Sequence, residues 1–358
     1  RVIQANYPLR LLEVAVITSP DDAGTIAKAE EKIAQLRRRD VDNVRVVLYN
    51  EAPINKPHGL NAGFRATGND VVTIFDAEDD IHPDIFNVVN TVMLDEGVEV
   101  VQCGVQLMNY ESNWYSTLNV LEYFFWFKSR LHYHARLGMI PLGGNTVFFT
   151  RRVLERVGGW DERNLTEDAE IGLRISGMGE AVRVVYDDRY VTREETPPSL
   201  SHFIRQRTRW SQGFLQTLKK GEWRRLPTFE QKLLAVYTLG FPTAQAVLGI
   251  YVVVALVMMF TVKTSALVAI LLDLPFYLLA AHFVMSLVGL YEFADAHGLK
   301  PARKTLLVMA LSYMPYQWVL SYASLRATWR ELRGINNWEK THHVGAHRQA
   351  SQAEGPAQ

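Results

Sequence analysis

Cysteine is almost absent from this sequence, since its 358 residues contain only Cys103. A single thiol excludes a disulfide framework, and it excludes any zinc site built from several cysteines. One cysteine also fits a reducing compartment.

An excess of charge of either sign is absent as well. Lysine and arginine together number 38, as do aspartate and glutamate, so the formal net charge is zero. Proteins that bind nucleic acid usually carry a basic excess, and we therefore expect no nucleic-acid partner. The length allows two or three domains and a sizeable core.

Long hydrophobic runs, in contrast, are concentrated in one part of the chain. Residues 243–262 and 265–290 form two such runs, and residues 305–325 form a third with Pro315 in its middle. A run of about 20 apolar residues is needed to cross a hydrocarbon layer of ~30 Å. We therefore predict that this region lies in a lipid bilayer.

Basic residues flank these runs at 219–225, 300–304 and 326–333. The positive-inside rule places all three flanks in the cytoplasm. That arrangement fits two full crossings and leaves the third run re-entrant or partly in the interface. We expect a multi-pass protein of the inner (plasma) membrane whose soluble part is cytoplasmic.

The soluble part alternates β-branched runs with helical patterns. Residues 12–18, 44–49, 71–75 and 98–102 have the composition of strands, and residues 23–39 have apolar positions at helical spacing. This alternation predicts an α/β domain with a largely parallel sheet. In such sheets, ligands bind beyond the carboxyl ends of the strands.

Acidic residues follow two of these strands. Asp21 and Asp22 come after the first, and four acids between Asp76 and Asp80 come after the third. Carboxylates at neighbouring strand ends predict one shared pocket that could hold a divalent cation. For Asp80 and Asp84 the first turn of a helix is the favoured alternative, because acids interact well with its dipole.

Two further motifs each allow two interpretations. The stretch NLTEDAE (164–170) is consistent with a helix start capped by Thr166, or with a carboxylate that acts as general base towards a hydroxyl group. The stretch HFIRQRTRWSQGF (202–214) is consistent with a basic helix on anionic lipid, or with an arginine clamp for a diphosphate beside a tryptophan that stacks on a sugar. Neither motif decides between its two interpretations alone.

Taken together, these pieces resemble a processive family-2 glycosyltransferase of the GT-A fold, the group that contains cellulose, hyaluronan and curdlan synthases. The resemblance covers nearly the whole chain. Its motifs stand in the family's order: DD (Asp21-Asp22), KPHGLN (Lys56 to Asn61), FDAED (Phe75 to Asp79), PLGGN (Pro141 to Asn145), GGW (Gly158 to Trp160), TED (Thr166 to Asp168) and Q-x-x-R-W (Gln206, Arg209, Trp210). T-x-E-E-x-P (Thr192 to Pro197) and WEKTHH (Trp338 to His343) look closest to bacterial exopolysaccharide synthases.

The resemblance implies a donor site. Asp21 and Asp22 would hold the base and ribose of a nucleotide, and Lys56 would lie near its diphosphate. Asp76 would bind Mg²⁺ or Mn²⁺ and the donor diphosphate. The second metal ligand would be Glu78 or Asp79.

The resemblance also implies a catalytic group and an acceptor site. Asp168, with Glu167 and Thr166 of the same motif, would act as general base and invert the anomeric carbon. The remaining implied residues are the acceptor platform of Gln206, Trp210, Gly143, Gly144 and Asn145, with Arg209 also able to reach the diphosphate, and a gating loop over the donor that contains Trp338, Lys340 and Thr341.

Two departures from the family pattern stand out. The family's first strand, its opening nucleotide-contacting motif and its amino-terminal membrane helices have no counterpart in a chain that begins Arg1-Val2-Ile3 without a signal peptide or methionine. We expect that an N-terminal part of the fold is missing. The metal motif reads D-A-E instead of D-x-D, so Glu78 would reach about one bond further than aspartate.

These expectations combine into one domain plan. Residues 1–225 would form the GT-A domain, with interface helices at about 120–136 and 201–220. Residues 226–328 would form membrane or interface helices, and residues 329–358 a cytoplasmic tail.

The expected function is a membrane-embedded, metal-dependent inverting glycosyltransferase. It would move a hexose from a nucleotide-diphosphate sugar, with UDP-glucose favoured, to a β-linked exopolysaccharide and translocate the polymer, and export proteins are candidate partners. One alternative is a non-processive transferase that acts on a lipid such as polyprenyl phosphate. Another is a non-catalytic membrane protein that binds nucleotide or glycan.

Overall fold

The computed structural model describes residues 1–263 and 265–339, and these fall into two compact units. The first unit combines residues 1–105, 131–192 and 221–233. The second combines residues 106–130 and 193–220 with the chain from 234 onward.

The described residues form eleven α-helices and eight strands. In chain order these are β1 (Val14–Thr18), α1 (Ala23–Arg37), β2 (Val44–Leu48), α2 (Lys56–Ala66), β3 (Val71–Ile74), α3 (Ile85–Glu96), β4 (Val100–Cys103), β5 (Val105–Leu107), α4 (Ser116–Phe125), α5 (Leu131–Leu137), β6 (Val147–Thr150), α6 (Arg151–Val157), α7 (Glu167–Gly177), β7 (Val182–Val185), β8 (Thr192–Glu194), α8 (Leu200–Lys220), α9 (Phe229–Thr261), α10 (Ala266–Ala296) and α11 (Arg303–Leu332). The four predicted strands are present as β1 to β4, each with its bounds within two residues of the prediction.

The strands of the first unit form a parallel pair and a separate mixed sheet. β1 pairs with β2 in parallel, with Val14 opposite Val44. The second sheet has the order β3-β6-β4-β7, in which β6 runs antiparallel to both β3 and β4. The prediction of a largely parallel sheet is therefore wrong for this sheet. The prediction fails because of β6, a short strand whose composition does not indicate its direction.

A buried cluster beneath the mixed sheet supports the ends of β3 and β4. Its members come from β4, β6, α3 and the loop before α3, and they are Ile81, Ile85, Phe86, Val89, Val101, Cys103 and Phe148. Phe75, Phe86 and Phe148 meet edge to face with centroids about 6 Å apart, a favoured aromatic geometry. The loops that leave these strands are thus attached to a packed core.

The second unit contains the long helices. Among the described residues, α9 and α10 are the two helices long and apolar enough to cross a membrane. They contain the first two predicted runs, and few of their residues are buried. The third run lies in α11, which does not meet the same criterion and packs along α8 through buried polar residues that include Ser324 and Arg330.

Candidate active site

Lys56 is the centre of a polar cluster in the first unit. It is the first residue of α2. The N-cap residue before it is Asn55, whose side chain accepts a hydrogen bond from the His58 backbone N–H at 3.1 Å. Pro57 follows at a position where its missing N–H costs nothing. The Lys56 ammonium donates to Asp76 Oδ1 at 2.6 Å and to the Gly144 carbonyl at 2.9 Å. Three separate motifs of the sequence thus meet at one nitrogen.

The charged side chains around Lys56 are carboxylates. Burial lowers the pKa of Lys56, but the carboxylates of Asp76, Glu167 and Asp168 raise it above its ordinary value, so the side chain is charged. One ammonium against three carboxylates leaves these four side chains with a formal charge of −2. A cation or a cationic complex would be stabilised there.

Asp168 reaches the cluster from the first turn of α7. A Cβ atom added to Gly144 would lie 3.0 Å from Asp168 Oδ2 and 3.6 Å from Lys56 Nζ, so the carboxylate, the ammonium and the glycine are close neighbours. Thr166 occupies the N-cap position without capping through its side chain, which instead bonds Asn164 Oδ1 at 3.3 Å. Thr166 is therefore the N-cap residue with acids in the first turn after it, as the helix-start interpretation predicts, but its side chain makes no capping hydrogen bond.

Glu170, two residues further along α7, has a different environment. It is fully buried and pairs with Arg174, whose Nε donates to both its oxygens at 2.8 and 2.9 Å. Arg174 also donates to the carbonyls of Val157 and Gly159. Through Arg174, Glu170 therefore attaches the turn that contains Gly159 to α7, whereas Asp168 faces the cluster.

The acids after β3 separate into different environments. Asp79 is buried; its oxygens accept hydrogen bonds from Asn145 Nδ2 at 3.0 and 3.1 Å and from the Asp76 backbone N–H at 2.8 Å. Glu78 is half-buried. Asp80 pairs with Arg1 at 2.6 Å. The geometry ties Asp79 to the loop and leaves Asp76 and Glu78 more accessible.

Asp84 lies at the N-cap position of α3 and accepts a hydrogen bond from Asn6 at 2.8 Å. This is the environment that the helix-start alternative predicts. Asp84 therefore belongs to the entry of α3.

The loop Gly143–Asn145 lies within the Lys56 cluster. Gly144 contacts Lys56 through its carbonyl, and Asn145 contacts Asp79. The Gly143 backbone N–H donates to the side chain of Gln102 at 2.8 Å. The sequence prediction missed Gln102, although a lone amide in the apolar strand VVQC was a visible signal.

The motifs KPHGLN and GGW are joined by hydrogen bonds. Asn61 donates to the Trp160 carbonyl and accepts from the Trp160 N–H, both at 2.9 Å. His58 Nε2 lies 2.9 Å from Glu162 Oε2. Glu51, His58 and Glu162 bring three possible metal-ligand atoms within 4.8 Å of one another, a grouping that the sequence prediction also missed.

Asp21 and Asp22 lie at the carboxyl end of β1, as predicted. Asp22 is the N-cap of α1 and accepts hydrogen bonds from the Thr25 backbone N–H at 3.0 Å and from its hydroxyl at 2.8 Å. Because β1 and β3 belong to different sheets, one continuous parallel sheet no longer supports the predicted shared pocket.

The Q-x-x-R-W motif lies in the second unit, on α8. Gln206 is buried, and its Oε1 has no hydrogen-bond partner within residues 1–263 and 265–339. The Arg209 guanidinium lies 4.5 Å from the centre of the Trp338 ring. The structure thus brings Arg209 and Trp338 together, while Lys340 and Thr341 lie outside the described residues.

Arg207, between the motif residues, is enclosed by partners. It pairs with Glu122 at 2.5 Å, donates to Asn119, and lies 4.8 Å from the Trp210 ring centre and 5.0 Å from that of Phe203. Burial lowers the pKa of Arg207, but Glu122 raises it above its ordinary value. Arg207 therefore stays charged and supports the Trp210 indole.

Three curated relatives resemble this chain. A probable glycosyltransferase of Bacillus subtilis is 26% identical over 59% of this chain and 50% of its own length. A beta-monoglucosyldiacylglycerol synthase of Nostoc is 26% identical over 59% of this chain and 44% of its own. A poly-beta-1,6-N-acetyl-D-glucosamine synthase of Staphylococcus epidermidis is 20% identical over 86% of this chain and 79% of its own. The chain spans about half the length of the first two.

The fold is shared with a mannosyltransferase of Pyrobaculum calidifontis solved in complex with GDP-Man and Mn²⁺. The TM-score is 0.52 at 20% identity, with 92% of this chain and 81% of the other covered. Residues 2–213, more than half of the chain, match the family described as "Glycosyltransferase like family 2". The chain therefore belongs to glycosyltransferase like family 2 and has its GT-A fold, followed by helices of which two could span a membrane.

Proposed function

We propose that the protein is a metal-dependent, inverting glycosyltransferase that takes a hexose from a nucleotide-diphosphate sugar. The observation that carries the proposal is the convergence of Lys56, Asp76, Gly144 and Asp168 from four segments of the chain. The reaction requires binding of the diphosphate and removal of a proton. Lys56 and Asp76 can supply the first, and the neighbouring Asp168 carboxylate can supply the second.

The accessible acids fit a hard divalent cation. Asp76 is about one-third exposed, Glu78 is half-buried, and both offer the oxygen ligands that Mg²⁺ and Mn²⁺ prefer. We assign the metal to Asp76 and Glu78 because both are partly accessible, whereas Asp79 is buried and accepts hydrogen bonds from Asn145 and the Asp76 backbone N–H. The metal would neutralise charge on the leaving diphosphate. The GDP-Man and Mn²⁺ bound by the structural neighbour accord with this choice.

Lys56 would bind the donor diphosphate once Asp76 engages the metal. The ammonium is charged and is already placed between Asp76 and Gly144. A phosphate oxygen would replace the Asp76 oxygen as its partner. Asp21 and Asp22, at the end of β1, remain our proposed contacts to base and ribose.

Asp168 would remove the proton from the acceptor hydroxyl. The acceptor oxygen then forms a bond to the anomeric carbon as the bond from that carbon to the diphosphate oxygen breaks, and the configuration inverts. The proton passes to Asp168 and the electron pair leaves with the nucleotide diphosphate. The proximity of Asp168 to Gly144 and Lys56 supports this role, with Glu167 and Thr166 setting the start of α7.

For the acceptor we favour the end of a β-linked polysaccharide, with UDP-glucose as donor. Gln206, Arg209 and Trp210 would bind the terminal sugar, and Trp338 would belong to a gating loop. α9 and α10 would cross the bilayer. The poly-beta-1,6-N-acetyl-D-glucosamine synthase, matched over 86% of this chain, supports a polymer product.

A lipid acceptor is the second candidate. The beta-monoglucosyldiacylglycerol synthase of Nostoc is more similar in identity, at 26%, than the polymer synthase. The mixed sheet and the Lys56 cluster would serve both reactions equally. The acceptor must therefore be identified by determining whether the product is a polymer or a glycolipid.

The test supplies full-length protein in lipid vesicles with a panel of labelled nucleotide sugars and Mg²⁺ or Mn²⁺. We expect nucleotide release only with metal, and a long polymer from one binding event. Glycolipid as the sole product would move the assignment to the second candidate. Donor binding without any release of nucleotide would contradict catalysis and favour a binding protein.

A further inference from the structure

Gln102 is an amide buried in the middle of the mixed sheet. It lies in β4 and is fully shielded from solvent. A buried amide is costly unless its hydrogen bonds are made. Gln102 makes them mostly with one loop: Oε1 accepts from the Gly143 N–H at 2.8 Å, and Nε2 donates to the Asn145 carbonyl at 3.1 Å.

The loop that Gln102 binds has a strained backbone. Thr146 has φ of 49°, in the left-handed region that β-branched residues rarely adopt. Such a conformation persists only where surrounding contacts determine it. Here the Thr146 N–H donates to the Ile74 carbonyl at 2.8 Å, and the Thr146 carbonyl accepts from the Cys103 N–H at 3.0 Å. Both contacts are made by strands β3 and β4 or their ends.

The same loop presents two groups to the acidic residues. The Gly144 carbonyl accepts from Lys56 at 2.9 Å. The Asn145 amide donates to Asp79, which in turn accepts from the Asp76 backbone N–H. A shift of this loop would therefore move Lys56 and Asp76 together.

We infer that Gln102 is a positioning residue: it fixes the loop Gly143–Thr146 so that Lys56 and Asp76 stand at the spacing that metal and diphosphate require. The inference rests on the proposed function. Groups that orient the groups in contact with a ligand change metal affinity or activity by about 10–100-fold when they are removed. Gln102 would do so without touching donor or metal.

Gln106 provides a matched control. It too is a fully buried glutamine in a short strand, and its Nε2 donates to the carbonyl of the following residue at 3.0 Å, as that of Gln102 does. Its Nε2 also donates to the Val120 carbonyl at 3.3 Å, and both residues belong to the second unit. Removing it imposes the cost of a lost buried amide without disturbing the Gly143–Thr146 loop.

The experiment compares Gln102→Met and Gln106→Met in the full chain in lipid. Thermal unfolding, kcat, donor KM and the Mn²⁺ concentration for half-maximal activity are measured for each. We expect similar losses in unfolding temperature. We also expect a 10–100-fold loss in kcat or in Mn²⁺ response for Gln102→Met alone. Equal kinetics for the two variants would overturn the inference.

A double-mutant cycle with Asn145→Ala tests whether Gln102 acts through the loop. If it does, Gln102→Met costs about threefold or less once Asn145 is already shortened, because groups in one network are not additive. Full additivity would contradict the inference. If Gln102→Met does not fold, Gln102→Glu serves instead, since it keeps an acceptor for the Gly143 N–H and replaces the amide that donates to the Asn145 carbonyl.

Binding of Mn²⁺ with UDP gives a readout that needs no acceptor. Weaker binding by Gln102→Met than by Gln106→Met supports the positioning role, and equal binding opposes it. A wild-type protein that transfers sugar while both variants behave alike would leave the proposed function intact and overturn only this inference. A wild-type protein that binds Mn²⁺ and UDP but transfers nothing would overturn the proposed function, and the inference on Gln102 would then be decided by the binding measurement.

Discussion

Two charged regions of the molecule, one in each unit, use the same kinds of side chain and differ in how the charges are matched. The acidic site of the first unit consists of Lys56, Asp76, Glu167 and Asp168, with a formal charge of −2. In the arginine cluster of the second unit each of four cations is held in an ion pair: Arg207 with Glu122, Arg326 and Arg330 with Glu339, and Lys219 with Glu331.

The difference separates binding from structure. A group of side chains in which carboxylates outnumber cations is stabilised when a cation binds, whereas charges already held in ion pairs gain little from a ligand. A balanced and buried pair is instead destabilised when either partner is lost. Substitutions in the acidic site should therefore change activity, and substitutions in the arginine cluster should change stability.

The largest effect is expected for Asp168→Asn. Removing a general base reduces transfer by about 10²–10⁴-fold, while binding of Mn²⁺ with nucleotide persists because Asp76 and Lys56 remain. Single-turnover transfer and donor binding are measured side by side. Glu170→Gln is the control on the same helix, and it should lower the unfolding temperature, since Glu170 is buried against Arg174. Full transfer by Asp168→Asn would remove the general-base assignment.

The next effect is a loss of stability for Arg207→Met. Glu122 would lose its buried partner, at a cost of roughly 3 kcal/mol, the lower end for buried pairs because Glu122 is one-third exposed. Chemical unfolding of the protein in detergent measures it. Arg189→Met is the control, since its pair with Asp187 is largely exposed and should contribute little to stability. Similar losses for the two variants would contradict the contrast between the regions.

A smaller effect, and a gain instead of a loss, is expected in the Mn²⁺ affinity of Lys56→Met. Lys56 holds Asp76 Oδ1 at 2.6 Å, so it competes with a metal for that oxygen. Its removal should tighten binding of Mn²⁺ alone by about tenfold, equal to 1.4 kcal/mol, although transfer falls because the diphosphate loses its cation. Calorimetric titration measures the affinity.

The control for that prediction is Lys32→Met, on the exposed face of α1. It should leave Mn²⁺ binding unchanged. In the wild type, UDP should tighten Mn²⁺ binding, since the nucleotide takes Lys56 away from Asp76. Weaker Mn²⁺ binding by Lys56→Met would show that the lysine organises the acids instead of competing for them.

Parts of this contrast were predictable from the sequence. Apolar runs located β1 to β4, and acids directly after VVTIF located Asp76, because strand ends and their polar successors are local features. The direction of β6 was not predictable, since a strand of four residues, VFFT, fits either orientation. The basis for placing Asp22 and Asp76 in one pocket was lost for a separate reason, because β1 and β3 belong to different sheets.

The environment of each charged group could not be read from spacing alone. Asp79 and Glu78 are adjacent acids, yet only the fold shows that Asn145, 66 residues away, donates to Asp79. Arg207 and Arg209 are two residues apart on α8, and one meets Glu122 while the other lies over Trp338. Such partners depend on tertiary packing, which local patterns do not encode.

The smallest expected effect concerns Cys103, which lies beside Gln102 in β4 and belongs to the buried cluster beneath the acidic site. Burial raises the pKa of its thiol to about 12. Because the thiolate is the nucleophile that attacks alkylating reagents, the folded protein should not react at pH 8 and should react fully in denaturant. Mass spectrometry of alkylated protein measures this. Rapid labelling of the native protein would show that the mixed sheet opens to solvent, and the acidic site would then lose the rigid support on which its spacing depends.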